Sequence, residues 1–179
     1  MTEDCEYTNV PPASDQDERP QFDTAANSLR PAGRDTAMSF TLTADWVAPS
    51  LSRNKLRQWL GAHDWSPAHI DDLVLSISEA VSNSVEHGYG IAVDQASPDH
   101  PEVIEVHAEI EPEPGGYRRA VLTIVDHGDW KQPGTGPTNR RQGLRIMRAC
   151  TETMTIDHSS GGTTVVLRSW PIPVPLSRG

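Results

Sequence analysis

A two-layer α+β sandwich, a mostly antiparallel sheet with amphipathic helices on one face, is the fold that this sequence of 179 residues predicts. Three observations lead there. Within residues 70–85, Ile70, Leu73, Val74, Ile77, Val81 and Val85 recur at steps of three and four, one narrow apolar stripe along a helix. Residues 103–111 alternate, with Ile104, Val106, Ala108 and Ile110 on one face and Glu105, His107 and Glu109 on the other, as a half-buried strand does. The patterned segments follow the order strand, helix, helix, two strands, loop, helix, two strands, which suits antiparallel pairing with the helices gathered on one side.

Taken from the start, residues 1–37 hold little that can pack, because Tyr7, Phe22 and Leu29 stand isolated among prolines, acids and hydroxyl residues. Eight acidic residues there face three arginines, half of the chain's net charge of −10. Such a composition predicts a disordered acidic tail ahead of a domain spanning 38–170. Residues 38–43 alternate Met38, Phe40 and Leu42 with hydroxyl side chains and read as a strand. Leu51, Leu56, Trp59 and Leu60 make a first helix over 49–61, and His63-Asp64-Trp65 the turn after it.

Ser66, a hydroxyl N-cap, and Pro67, at the first helical position, open the long helix. Gly88 and Gly90 supply its stop. Residues 88–102 are polar and interrupted by Pro98 and Pro101, a loop. The strand at 103–111 turns through Pro112, Pro114, Gly115 and Gly116 into an antiparallel return over 117–125. Residues 131–139 are rich in Gly and Pro without an apolar anchor and predict a mobile loop. A short helix over 140–150 buries Leu144, Met147 and Cys150, and a hairpin of 154–157 with 163–170 closes the fold. Residues 171–179, with Pro171, Pro173 and Pro175, read as an unstructured end.

Charge and composition exclude several classes. The acidic balance argues against nucleic acid or an anionic membrane surface as the main partner. No run of about 18 apolar residues exists, and residues 1–30 lack the order of a signal peptide. Cys5 and Cys150 form neither a disulfide framework nor a metal set, and the histidines show no metal spacing. A cytoplasmic protein fits these features.

Chemistry enters on the polar side of the long helix. Glu79, Asn83 and His87 follow one another at i,i+4, so they line up away from the apolar stripe. A carboxylate one turn before a carboxamide suits phosphoryl transfer: the acid takes a proton from an attacking hydroxyl and the amide oxygen ligates a hard cation. The same spacing also describes an ordinary solvated helix face. Three further clusters accompany it. Asp126 and Gly128 sit at a strand end, where a carboxylate accepts from an amino group and a glycine admits a flat ring. Gln142-Gly143 lies at a helix start, where free N–H groups suit a phosphate. Gly162-Thr163-Thr164 opens the last strand with two hydroxyls.

In this order and context the residues resemble the GHKL (Bergerat-fold) ATP-binding superfamily, and within it the stand-alone anti-sigma-factor serine/threonine kinases. Residues 79–89 (EAVSNSVEHGY) match the family's N-box, Asp126-His127-Gly128 its D-x-G box, residues 142–147 the end of a glycine box with its helix, and residues 161–165 (GGTTV) the final box. The resemblance covers about residues 39–168 and implies ATP with magnesium as cofactors. It implies Glu79 as general base, Asn83 as the magnesium ligand, and Asp126 as the acceptor for the adenine amino group. Gly128 would lie beside the ring, with Thr163 or Thr164 supporting it. Residues 131–139 would form an ATP lid, the helix start at Gly143 would face the phosphates, and Arg140 or Arg141 would reach the γ-phosphate.

The same resemblance implies a sigma factor and an anti-sigma-factor antagonist as partners, with a homodimer possible in this family. Two positions depart from the pattern: Trp130 stands where D-x-G-x-G has its second glycine, and Arg141 replaces a glycine at the phosphate end. Nothing before residue 39 has the pattern of a helical hairpin bearing a phospho-acceptor histidine, so an autophosphorylating histidine kinase is not expected, and His87 is expected to cap its helix. Three readings follow: a protein kinase that restrains a sigma factor, a non-catalytic regulator that sequesters a partner, and a hydrolytic ATPase of the chaperone or topoisomerase kind. Glu79 and Asn83 favour the first, Arg141 and Trp130 the second, and the third needs further domains.

Overall fold

The computed structural model describes residues 35–90, 102–128 and 140–175, with Arg140 and Arg141 described by backbone alone. The expected tail falls almost wholly outside them, and Ala37 already belongs to the first strand. The elements are β1 (Ala37–Thr43), α1 (Ala48–Ala62), α2 (Pro67–Asn83) with a π-helical continuation (Ser84–Gly88), β2 (Val103–Glu113), β3 (Tyr117–Asp126), α3 (Arg140–Cys150), β4 (Thr153–Ser159), β5 (Gly162–Arg168) and β6 (Ile172–Pro173). Among the described residues no helix is long and apolar enough to cross a membrane.

Local chemistry explains the helix boundaries. Asp45 Oδ1 accepts from Val47 N (2.9 Å) and Ala48 N (3.0 Å), so α1 starts with two of its orphan donors satisfied. Asp64 takes φ +56°, a conformation that aspartate tolerates better than most residues, and Trp65 N returns to Leu60 O at 3.2 Å. Ser66 holds an extended conformation and Pro67 stands at the head of α2, as the sequence predicts. All six residues of the apolar stripe are buried, Ile77 and Val81 completely.

The sheet runs β1-β2-β3-β5-β4, every neighbouring pair antiparallel, with β6 added to the near end of β3. Its inner face carries Leu42, Ile104, Val106, Ala108, Leu122, Ile124, Val165 and Leu167, which bury against the helices with Leu56, Leu60, Leu73 and Met147. Cys150 is half-buried at the end of α3, and burial, with the Asp72 carboxylate beside it, pushes its thiol pKa up.

Residues 171–175 correct the expectation of an unstructured end over their part of 171–179, and residues 176–179 lie outside the described residues. Ile172 pairs with Arg118 and Pro173 with Tyr117, while Val174 N donates to Gly116 O at 2.8 Å. The proline spacing that argued against structure instead holds the segment extended at a sheet margin, where a residue without an N–H is tolerated. Ile172, only 7% exposed, supplies the apolar contact that keeps it there.

Candidate functional site

The last turn of the central helix and the far end of β3 meet. After Asn83 the helix widens into a π turn over Ser84–Gly88, closed by Tyr89 N donating to Ser84 O at 3.0 Å. One extra residue in that turn moves His87 off the α-helical line through Glu79 and Asn83. The helix end is thus closed by the backbone of Tyr89, not capped by His87 as expected. The turn also drives Gly88 against β3. A Cβ on Gly88 would lie 2.9 Å from Asp126 Oδ1, and a Cβ on Gly128 would lie 2.2 Å from the Gly88 carbonyl carbon and oxygen. The lack of a side chain at Gly128 is therefore required by backbone-to-backbone approach, a cause additional to the flat ring expected from sequence.

Asp126 is the polar centre of this contact and is only 3% exposed. Its Oδ2 accepts from Ser84 Oγ at 2.7 Å, and its Oδ1 accepts from Gly128 N at 3.2 Å. A carboxylate offers about four acceptor positions, so capacity for an external N–H donor remains. Thr163 faces Asp126 directly in the β3–β5 register, and its buried Oγ1 has no hydrogen-bond partner among the described residues. A buried polar atom in that state points to a ligand or water. Thr164, by contrast, pairs with Val125 and follows Val166 onto the outer face of the sheet, because successive side chains on a strand alternate. Of the two expected hydroxyls, only Thr163 is brought to Asp126. Gly162, at φ +125°, allows the strand to start here, since a Cβ would meet Asp126 O at 1.9 Å.

At the other end, α3 brings Gly143 over the polar line of α2. A Cβ on Gly143 would lie 2.8 Å from Glu79 Oε2 and 3.8 Å from Asn83 Oδ1. Glu79 and Asn83 are half-buried beneath the first turn of α3, not spread on a solvated face. Arg140 and Arg141 are the first residues of α3, and their side chains lie outside the description, as do Trp130 and the lid expected at 131–139.

Sequence reasoning assigned no role to Ser84, Tyr89, Glu105 or the side chain of His127. Tyr89 Oη donates to Val103 O at 2.6 Å and accepts from His127 N at 2.9 Å, tying the helix end to β2 and to the end of β3; burial pushes its phenol pKa up. The Ser84 hydroxyl carries a direct prediction. Ser84→Ala leaves a buried carboxylate oxygen without its donor, and urea denaturation should show a loss of about 1–3 kcal/mol. An unchanged midpoint would mean that solvent replaces the bond.

Against this geometry, the comparison with known families is decisive: residues 42–169 match the histidine kinase-like ATPase domain model. The chain belongs to the histidine kinase-like ATPase domain family. The α+β architecture, a six-stranded antiparallel sheet under three helices, agrees with that membership. Among solved structures, this ATPase domain is similar to the RsbU and RsbW domains of Rv1364c from Mycobacterium tuberculosis, at 28% identity and a TM-score of 0.56. That match covers 77% of this chain but 33% of the other, so the chain spans about a third of the protein it matches. A histidine kinase domain from the Erythrobacter litoralis EL346 blue-light activated histidine kinase also matches, at 18% identity and TM-score 0.35 over 60% of this chain and 45% of that one, too distantly to carry an argument.

Proposed function

We propose that this chain is an ATP-dependent protein serine/threonine kinase that binds a sigma factor and phosphorylates a serine of an anti-sigma-factor antagonist. The observation that carries this reading is the approach of Gly143 to both Glu79 and Asn83. It sets a carboxylate and a carboxamide beneath a helix start, the arrangement that positions a hydroxyl nucleophile against a bound phosphate. Family membership supports ATP as the nucleotide, and the motif resemblance together with the similarity to an RsbW-containing protein supports the anti-sigma role, with a sigma factor and an antagonist as partners.

In this reading Asp126 accepts a hydrogen bond from the adenine amino group, held ready by Ser84 and Gly128, and Thr163 supplies the neighbouring hydroxyl. Glu79 accepts the proton of the incoming serine hydroxyl as the serine oxygen bonds to the terminal phosphorus in line, while the bond from that phosphorus to the β,γ-bridging oxygen breaks and ADP leaves. Arg140 or Arg141 serves as the cation for the charge that develops on the transferring group. Magnesium, when bound, neutralises and orients the phosphate oxygens. Asn83, whose Oδ1 lies near Gly143 under the first turn of α3, would hold that cation through its carboxamide oxygen, a hard donor that suits magnesium.

Calorimetry on the full chain tests the reading: ATP should bind more tightly with magnesium than without it. Asn83→Ala should remove that difference while leaving the magnesium-free affinity within about threefold, since one cation ligand is lost but the adenine end is intact. Equal magnesium dependence in wild type and variant would refute the role of Asn83. The specific observation behind a second reading is Arg141 in place of a glycine at the head of α3. If the wild type binds no ATP at millimolar concentration, the chain acts by sequestering a partner protein.

A further inference from the structure

His127 stands between Asp126 and Gly128, yet its ring turns away from them toward two oxygens on other elements. Nε2 lies 3.1 Å from Glu105 Oε1, on the outer face of β2, and Nδ1 lies 3.4 Å from the carbonyl oxygen of Gly161 in the β4–β5 turn. Its backbone N donates to Tyr89 Oη. Both ring nitrogens therefore face acceptors. An imidazolium donates to both, whereas a neutral ring has one N–H and must turn a lone pair toward either the carboxylate or the carbonyl. Gly161 immediately precedes Gly162, which is pressed against the Asp126 carbonyl, and Thr163, which stands opposite Asp126.

We propose that His127 is a positioning residue of the nucleotide site, whose protonated ring clamps the β4–β5 turn to β2 and so links purine-nucleotide affinity to the binding of one proton. The inference rests on the nucleotide-binding reading above. When the ring loses its proton, one of its two bonds is lost, and the segment carrying Thr163 is held to Asp126 less firmly. The titratable groups around the ring are Glu105 from β2, Asp126 from β3 and Tyr89 from the helix end. Farther off, Asp157 is opposite Thr164 on the outer face and His158 is opposite Thr163 on the inner one. The hydrogen bond to Glu105 holds the imidazolium pKa above the ordinary histidine value, against the opposing effect of burial. The clamp is thus complete below that ordinary value and is lost as pH rises through the raised one.

The ring is about half exposed, which limits the effect to that of a solvent-screened pair. The test is ADP affinity of the full chain by calorimetry between about pH 5.5 and about pH 8.5, paired with NMR titration of the His127 ring. Wild-type affinity should fall about threefold beyond the fall in His127→Gln, with its midpoint at the NMR value; the titration of ADP itself is common to both proteins and cancels. ADP should raise the His127 pKa, as linkage demands, and Glu105→Gln should move both midpoints down together. Equal pH slopes in wild type and His127→Gln, or an NMR value indifferent to ADP, overturn the proposal. If ADP binds at no pH, the nucleotide reading fails together with the affinity linkage. The clamp itself is then decided by whether Glu105→Gln lowers the His127 pKa.

Discussion

Replacing Glu79 with glutamine should lower phosphoryl transfer by about 10²–10⁴-fold while leaving ATP affinity within about threefold. The separation follows from the geometry. Glu79 sits under the first turn of α3, within reach of Gly143, whereas Asp126, Ser84 and Thr163 gather at the far end of the β3–β5 pair. Glutamine preserves the size and shape of the side chain but exchanges one acceptor oxygen for an NH2 donor, removing the negative charge together with the basicity. The measurement is transfer of labelled γ-phosphate to a serine of an anti-sigma-factor antagonist protein, read beside a parallel binding isotherm. Undiminished transfer would remove Glu79 from the role of base. A wild type that binds ATP but transfers nothing would favour the sequestering reading over the kinase.

Gly128→Ala should be strongly destabilising. Its new methyl group would meet the Gly88 carbonyl group at 2.2 Å and the Gly88 Cα at 2.7 Å, all backbone atoms that cannot rotate aside. Either the π turn or the end of β3 must shift, at a cost of about 3 kcal/mol, the upper part of the range for overpacking. The thermal midpoint should fall by roughly 6–12 °C for a chain of this size. Gly61→Ala provides the control, because nothing lies within 4 Å of its Cβ position in α1. That variant should gain up to about 1 kcal/mol from helix propensity alone. Equal melting of the two variants would show that Gly88 and Gly128 do not approach as described. A Gly128→Ala protein that melts early and also loses ATP would tie this packing to the nucleotide site.

Much of the architecture was legible because it rests on short-range periodicity. The stripe from Ile70 to Val85 required a helix with a buried face, and the alternation from Ile104 to Ile110 required a strand with one. Ser66 and Pro67 marked a helix start by local hydrogen bonding and a fixed φ, which depend on no distant residue. The resemblance likewise named Glu79, Asn83, Asp126, Gly128, Gly143 and Thr163 from their types and spacing. Period and spacing were less informative where the chain breaks its own rhythm. The π turn after Asn83 inserts a residue that no hydropathy pattern announces, and it redirects His87. The alternating prolines of the C-terminal end concealed Ile172, whose place depends on pairing with Arg118 of β3 and on burial in the core.

The amino-acid sequence by itself determined the element types, their antiparallel character and the residue set from which a site is built. Those properties follow from side-chain periodicity and from local backbone preference. Only the tertiary structure decided which members of that set meet. The crossover through α3 puts β5 beside β3 before β4, so Thr163 faces Asp126, and the pleat sends Thr164 to the opposite face. It also joins Ser84 to Asp126 across 42 residues and sets His127 between Glu105 and Gly161. Contacts of that kind depend on register and on the close approach of backbones that only glycine permits, and neither is written in any one segment of the chain.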